Sequence, residues 1–236
     1  MGTRESAPCG QAMHPEIKIL LLFVLAGLFA LGLPWWAWRR VRSLEKKYGR
    51  ILLVRGVSGA QAARIVLLRG EIPQVDVDES AVSVTDFYSA FEPAIKLSPA
   101  TYEGKRLFDV ARAARLAGHA LQHRDRKLGG LASWDSFMIL WGNAWPILLV
   151  MLVLATKGRF IWAAIGFAIL AIILAVGHLL KHTHVQDAAR RGRQELEGAK
   201  LLDGHPEDEI EAAFLAARLD HLALPYSKTW LRLLFS

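Results

Sequence analysis

The sequence predicts a mainly α-helical integral membrane protein with three transmembrane helices and a small cytoplasmic α+β domain. Three runs, residues 19–38, 137–156 and 160–180, contain no Asp, Glu, Lys or Arg. Each is close to the roughly 20 residues with which a helix crosses about 30 Å of hydrocarbon. Helix-like and strand-like patterns alternate between the first two runs. We therefore expect the 236 residues to divide into membrane spans and one compact domain.

The first run predicts an uncleaved anchor, transmembrane helix 1, behind an N-terminal segment of residues 1–18. The run is longer than the core of a signal peptide and lacks a small-residue cleavage pattern. It ends in Trp35, Trp36 and Trp38, and indole rings favour the level of the lipid headgroups.

Basic residues predict the orientation of the anchor. Seven Lys and Arg residues lie between Arg39 and Arg55, whereas only Arg4 and Lys18 precede the anchor. The positive-inside rule then places the N-terminus outside and residues 39–136 in the cytoplasm. The hairpin of residues 137–180 returns the chain, so that residues 181–236 form a cytoplasmic helical tail that packs on the domain.

The net charge of +7 is expected to favour contact with the membrane surface. Most basic residues lie beside the predicted spans, where anionic lipid attracts Lys and Arg. The lipid bilayer is therefore an expected partner, and nucleic acid is not, because no recognition motif accompanies the charge. Cys9 is the only cysteine, which excludes an internal disulfide or a thiolate metal cluster.

Within the domain, the first expected helix follows a capping box formed by Ser58 and Gln61. It covers residues 62–68 and ends at Gly70. Period-2 alternation then predicts three strands of a small antiparallel sheet at residues 74–77, 81–85 and 94–97.

Two further helical segments follow from the positions of proline. Ser98 and Pro99 can start a long helix over residues 100–127, which is rich in Ala, Leu and Arg. Pro206, followed by three acidic residues, predicts a helix start in the tail, and Pro225 is expected to interrupt that helix. Residues 230–235 are expected to form a membrane-surface helix.

Several motifs occur in an order that resembles a known family. They are Lys46-Lys-Tyr48, Val57-Ser-Gly-Ala-Gln-Ala-Ala-Arg64, Val84-Thr-Asp-Phe-Tyr88, Leu97-Ser98 and Ala117-Gly-His-Ala-Leu-Gln-His123. In order and spacing the chain resembles the bacterial neutral zinc metallopeptidases of the YugP type, a membrane-bound group with an HExxH helix. The resemblance covers nearly the whole chain. It implies a zincin-like domain, a location in the bacterial inner membrane and polypeptide as the class of substrate.

The chain departs from the family at the positions that carry catalysis. Alignment on Gly118-His-Ala keeps His119 as the one family-matching zinc ligand. Arg115 stands where the resemblance implies the first histidine ligand, and Leu116 stands where it implies the catalytic glutamate. Val185 occupies the position of the third, acidic ligand.

The stretch Val84-Thr-Asp-Phe-Tyr88 departs from the family's threonine-aspartate-histidine-tyrosine stretch in one residue. Asp86 and Tyr88 are retained, whereas Phe87 replaces the histidine between them.

These replacements remove the chemistry of an HExxH site. The two histidines of that motif share one helix face and one zinc ion, and the glutamate activates the bound water. Arg115 has no lone pair to donate, and at 4 Å and an effective dielectric near 20 it would repel a dication by about 8 kcal/mol. We therefore expect a pseudopeptidase, without catalytic residues or cofactor, that binds a polypeptide or membrane partner.

The opposing prediction is an active zinc-dependent membrane endopeptidase with shifted ligands. His119 and His123 are four residues apart, and His184 lies near the third-ligand position, so these residues could form a three-ligand zinc site. Ala120 would then stand where such a motif needs its general base.

Overall fold

The computed structural model describes residues 15–80, 86–126, 147–148, 150–155, 157 and 160–227. Helix α1 covers Pro15–Tyr48, α2 Gly59–Arg69, α3 Pro99–Tyr102, α4 Leu107–Arg124, α5 Phe160–Gly198 and α6 Glu207–Ser227. The strands are β1, Asp76–Glu79, β2, Phe87–Ser89, and β3, Ala94–Leu97. Helix α4 lies at the centre, in contact with α2, α5 and α6.

In the described residues, no helix combines the length and the apolar character needed to cross a membrane. The predicted fold class is therefore wrong in its three transmembrane helices, whereas its mainly helical character with a small sheet is present. Residues 19–38 and 160–180 belong to two longer helices, α1 and α5, which continue into charged segments. A run of residues without charge indicates that its surroundings are apolar. Other parts of the protein provide some of these surroundings here, because Trp38 and Phe167 are buried. Most of residues 137–156, and all of residues 230–235, lie outside the described residues.

The sheet is mixed rather than antiparallel. Its strand order is β1-β3-β2, with β1 parallel and β2 antiparallel to β3. Alternation in sequence identifies a half-buried strand but carries no information about the direction of its partner. The strand expected at residues 81–85 lies outside the described residues.

The capping box at the start of α2 is confirmed. The Gln61 amide donates to Ser58 Oγ at 3.3 Å, and the Ser58 amide donates to Gln61 Oε1 at 3.0 Å. The helix ends at Gly70, and its buried face, which includes Ala63, Val66 and Leu67, packs against α4.

The long helix expected over residues 100–127 is divided into α3 and α4. Between them, the Leu53 amide donates to the Lys105 carbonyl at 2.8 Å, which ties the break to the preceding loop. A Cβ at Gly104 would overlap Ala100 and the Asp109 carboxylate, so this loop requires glycine. Arg106 closes the start of α4 through hydrogen bonds of 2.7 and 2.8 Å to Asp109.

In the tail, the acidic helix start is confirmed and the interruption is not. Helix α6 begins directly after Pro206 with Glu207, Asp208 and Glu209 in its first turn, but it continues through Pro225 to Ser227.

Helices α4 and α5 meet backbone to backbone. A Cβ at Gly118 would overlap the carbonyl of Ala188, and a Cβ at Gly192 would overlap the carbonyl of Ala114. The contact places residues 181–188 of α5 along the second half of α4.

We predict that Gly118→Ala lowers the free energy of unfolding by about 1–3 kcal/mol, since the added methyl group forces the two helices apart. Gly32→Ala in α1 is the control, because no atom lies within 4 Å of a Cβ there. It should be neutral or stabilising by up to about 1 kcal/mol, as alanine favours a helix over glycine. Urea unfolding measures both, and equal effects would contradict the packing argument.

Candidate functional site

Helix α4 brings Arg115 and His119 onto one face, since residues four apart on a helix are neighbours. Only 4% of Arg115 and 3% of His119 are exposed to solvent. Leu116, also buried, packs into the hydrophobic core. Positions 115 and 116 therefore hold a buried cation and a core leucine.

Two nitrogen atoms of the Arg115 side chain are buried without an acceptor among the described residues. In the described part of the chain, its Nε and Nη1 atoms are buried and make no hydrogen bond. Buried polar groups in proteins normally have such partners, so this residue is an exception that needs an explanation.

Arg112, one turn earlier on α4, has the opposite environment. Its guanidinium donates to Asp220 Oδ2 at 2.6 Å and to Glu45 Oε1 at 2.5 Å. Burial lowers the pKa of Arg112, but the two carboxylates outweigh that effect and raise it above its ordinary value. This ion triad joins α4 to α1 and α6.

His119 is held by a hydrogen-bond chain that reaches α5. The Gln122 side chain donates through Nε2 to the His184 carbonyl and to Asp187 Oδ2, both at 2.9 Å. Its Oε1 atom therefore faces His119 Nδ1 at 2.9 Å. That arrangement assigns the imidazole proton to Nδ1 and leaves a lone pair on Nε2, which has no hydrogen-bond partner among the described residues.

The surroundings of His119 keep its ring neutral. Burial lowers its pKa well below the ordinary value, and the positive charges of Lys181 and Arg115 lower it further, against the effect of the hydrogen bond that His119 donates to Gln122. Lys181, on α5, is itself buried.

The other residues of the shifted zinc site lie in different surroundings. The His123 ring turns towards β2, where its Nδ1 atom lies 2.7 Å from the Tyr88 hydroxyl. His184 meets the network through its backbone carbonyl. The neighbouring Val185 is fully buried.

Asp86 stabilises the start of α3. Its Oδ1 atom accepts from the Ser98 amide at 2.7 Å and from the Ser98 hydroxyl at 2.8 Å. Its Oδ2 atom accepts from the Thr101 hydroxyl at 2.8 Å. These bonds give the residue a structural role in joining β2 to α3.

The described residues around His119 do not form a zinc site. No group of three or more His, Cys, Asp or Glu side chains in the described part of the chain is placed to hold a metal, and a catalytic zinc normally has three protein ligands. The guanidinium of Arg115 has no lone pair to give a metal ion, and its positive charge opposes a dication beside His119.

Sequence reasoning did not identify Gln122 and Lys181 as parts of this site. Gln122 had a local signal, since a residue three positions after His119 shares its helix face. Lys181 had none, because it joins the site only through the packing of α5 on α4.

Comparison with known proteins identifies the family. Residues 22–227 match the sequence model of a family described as putative neutral zinc metallopeptidase. The chain belongs to this metallopeptidase family. A relative, the putative membrane protease YugP of Bacillus subtilis (strain 168), is 32% identical over 105 residues, 44% of this chain. The match spans about half of that relative, 47% of its length. No solved structure matches the chain.

We predict opposite effects for one substitution at two positions of this metallopeptidase-family helix. Arg112→Met should lower the free energy of unfolding by about 3–5 kcal/mol, because Glu45 and Asp220 lose their shared cation. Arg115→Met should raise it by about 1–4 kcal/mol, because an unpaired buried charge is replaced by an apolar side chain. Denaturant unfolding of both variants measures the two changes in the free energy of unfolding. A loss of stability in Arg115→Met similar to that in Arg112→Met would show that Arg115 is paired.

Proposed function

We propose that this member of the zinc metallopeptidase family is non-catalytic and binds a polypeptide segment beside α4 without cutting it. The observation that supports the proposal is the buried guanidinium of Arg115, four residues before His119. Hydrolysis in an HExxH site needs a metal ion and a base. Arg115 cannot ligate the metal, and the core residue Leu116 cannot take a proton from water.

The family supports polypeptide as the class of partner, and the sheet offers a surface for it. Among the described strands, β2 pairs only with β3, so its outer edge has no strand beside it. A polypeptide in extended form can add to such an edge through backbone hydrogen bonds. The hydrogen bond from Tyr88 to His123 places this edge next to the C-terminal half of α4.

Two exposed aromatic side chains lie in β2 and in the turn that follows it. Phe87 in β2 is 37% exposed, and Phe91 in the turn is 91% exposed. Exposed aromatic groups provide a large contact area at a binding surface. Among the described residues, this part of the sheet therefore combines a strand that pairs on one side with exposed apolar groups.

Metal content and hydrolysis test the absence of catalysis. The purified protein should hold less than one equivalent of zinc by mass spectrometry, should show no difference after His119→Ala, and should not cleave a generic unfolded polypeptide. Stoichiometric zinc that is lost in His119→Ala would support the shifted-ligand enzyme instead. The double variant Arg115→His with Leu116→Glu should still not cleave, because Val185 provides no third ligand. Cleavage by that variant would disprove the assignment of Val185 as a lost ligand position.

Binding at the edge of β2 is tested with substitutions of the exposed aromatic residues. Phe91→Ser and Phe87→Ser should each weaken the binding of a fluorescent extended peptide by about fivefold to thirtyfold, as expected for the loss of about 1–2 kcal/mol of apolar contact. Leu68→Ser is the matched control, since Leu68 is 65% exposed and lies on α2 rather than on the sheet. Fluorescence anisotropy measures the three affinities. Equal loss in all three variants would place the peptide elsewhere.

A further inference from the structure

We propose that Arg115 anchors a carboxylate-binding site, and that the bound polypeptide supplies the carboxylate. The inference rests on the proposed polypeptide-binding function and specifies the chemical group that the site recognises. Arg115 would then have a role of its own in binding the ligand, in addition to replacing a histidine that would bind zinc.

The first argument is the contrast between two arginines on one helix. Arg112 has carboxylates from α1 and α6 at 2.5 and 2.6 Å. Arg115, more deeply buried, has neither an ion pair nor a hydrogen bond at Nε and Nη1 in the described part of the chain. Charged side chains are almost never fully buried without a partner. The missing partner is thus an anion that the described chain does not itself provide.

The second argument is that the nearest acidic group in the network is already occupied. Asp187 accepts hydrogen bonds from Gln122 at 2.9 Å, from Arg190 at 2.9 Å and from Arg191 at 2.8 Å. The carboxylate of Asp187 is therefore paired with Arg190 and Arg191 and not with Arg115.

The third argument concerns the class of ligand. Arg115 carries a fixed positive charge, so the group that binds to it is an anion and not a metal cation. A guanidinium presents planar N–H donors, which match the oxygens of a carboxylate in geometry and strength. A polypeptide carries such a group at its C-terminus and on acidic side chains.

Matched peptides test the proposal directly. One acetylated alanine peptide ends in a free carboxylate, a second ends in an amide, and a third has the amide end and one internal glutamate. The intact protein should bind a carboxylate-bearing peptide at least about tenfold more tightly than the uncharged one, since hydrogen bonds to charged groups have that effect. A preference for the first peptide identifies the C-terminus as the source, and a preference for the third identifies an acidic side chain.

Two substitutions assign the preference to Arg115. Arg115→Met should abolish the discrimination while the protein remains folded, and Arg40→Met, at an exposed arginine of α1, should preserve it. Isothermal titration calorimetry gives the affinities. Equal affinity for all three peptides, or a preference that survives Arg115→Met, would overturn the carboxylate site and leave polypeptide binding intact.

A measurement without peptide separates the two proposals. Sodium acetate should raise the melting temperature of the unmodified protein more than sodium chloride at the same ionic strength, and this difference should vanish in Arg115→Met. If acetate raises the melting temperature more than chloride and Arg115→Met removes this difference, while no peptide binds, the anion site is supported and the polypeptide function fails. If acetate and chloride act alike and no peptide binds, both proposals fail.

Discussion

The close contact between α4 and α5 is the constraint on which the rest of the site depends. Two glycines, Gly118 and Gly192, let the helix backbones approach more closely than any side chain would allow. That approach brings the His184 carbonyl and the Asp187 carboxylate within reach of Gln122, and Gln122 in turn fixes the ring of His119. The orientation of the His119 ring is therefore a consequence of this backbone packing.

The charges on α4 divide the helix into two functional parts. At Arg112 the cation is balanced by carboxylates from α1 and α6, and the result is a structural joint between three helices. At Arg115 the same type of side chain is buried without an acceptor in the described chain, next to a neutral imidazole and a second cation. Because the solvent cannot screen a buried charge, the first position stabilises the fold, whereas the second costs stability. A costly feature of this kind is the usual mark of a position used for binding.

Local features could be predicted from the sequence, and features that depend on distant contacts could not. The capping box of Ser58 and Gln61 and the acidic start of α6 involve neighbouring residues, and both are present. The parallel pairing of β1 with β3 depends on the path of the chain, and alternation does not encode it. The apolar runs were misassigned because an uncharged stretch does not identify what surrounds it. At the site, the order of motifs located Arg115 and His119, but only the packing of α5 added Lys181.

The backbone contact at Gly118 also bears on how such a protein could arise. In many small metal-dependent folds, losing the ligands unfolds the chain, so that each ligand is preserved by selection for folding alone. Here α4 and α5 are held together by glycine packing and by the Gln122 network. Selection for folding alone would therefore preserve Gly118, Gly192 and Gln122 rather than a set of metal ligands.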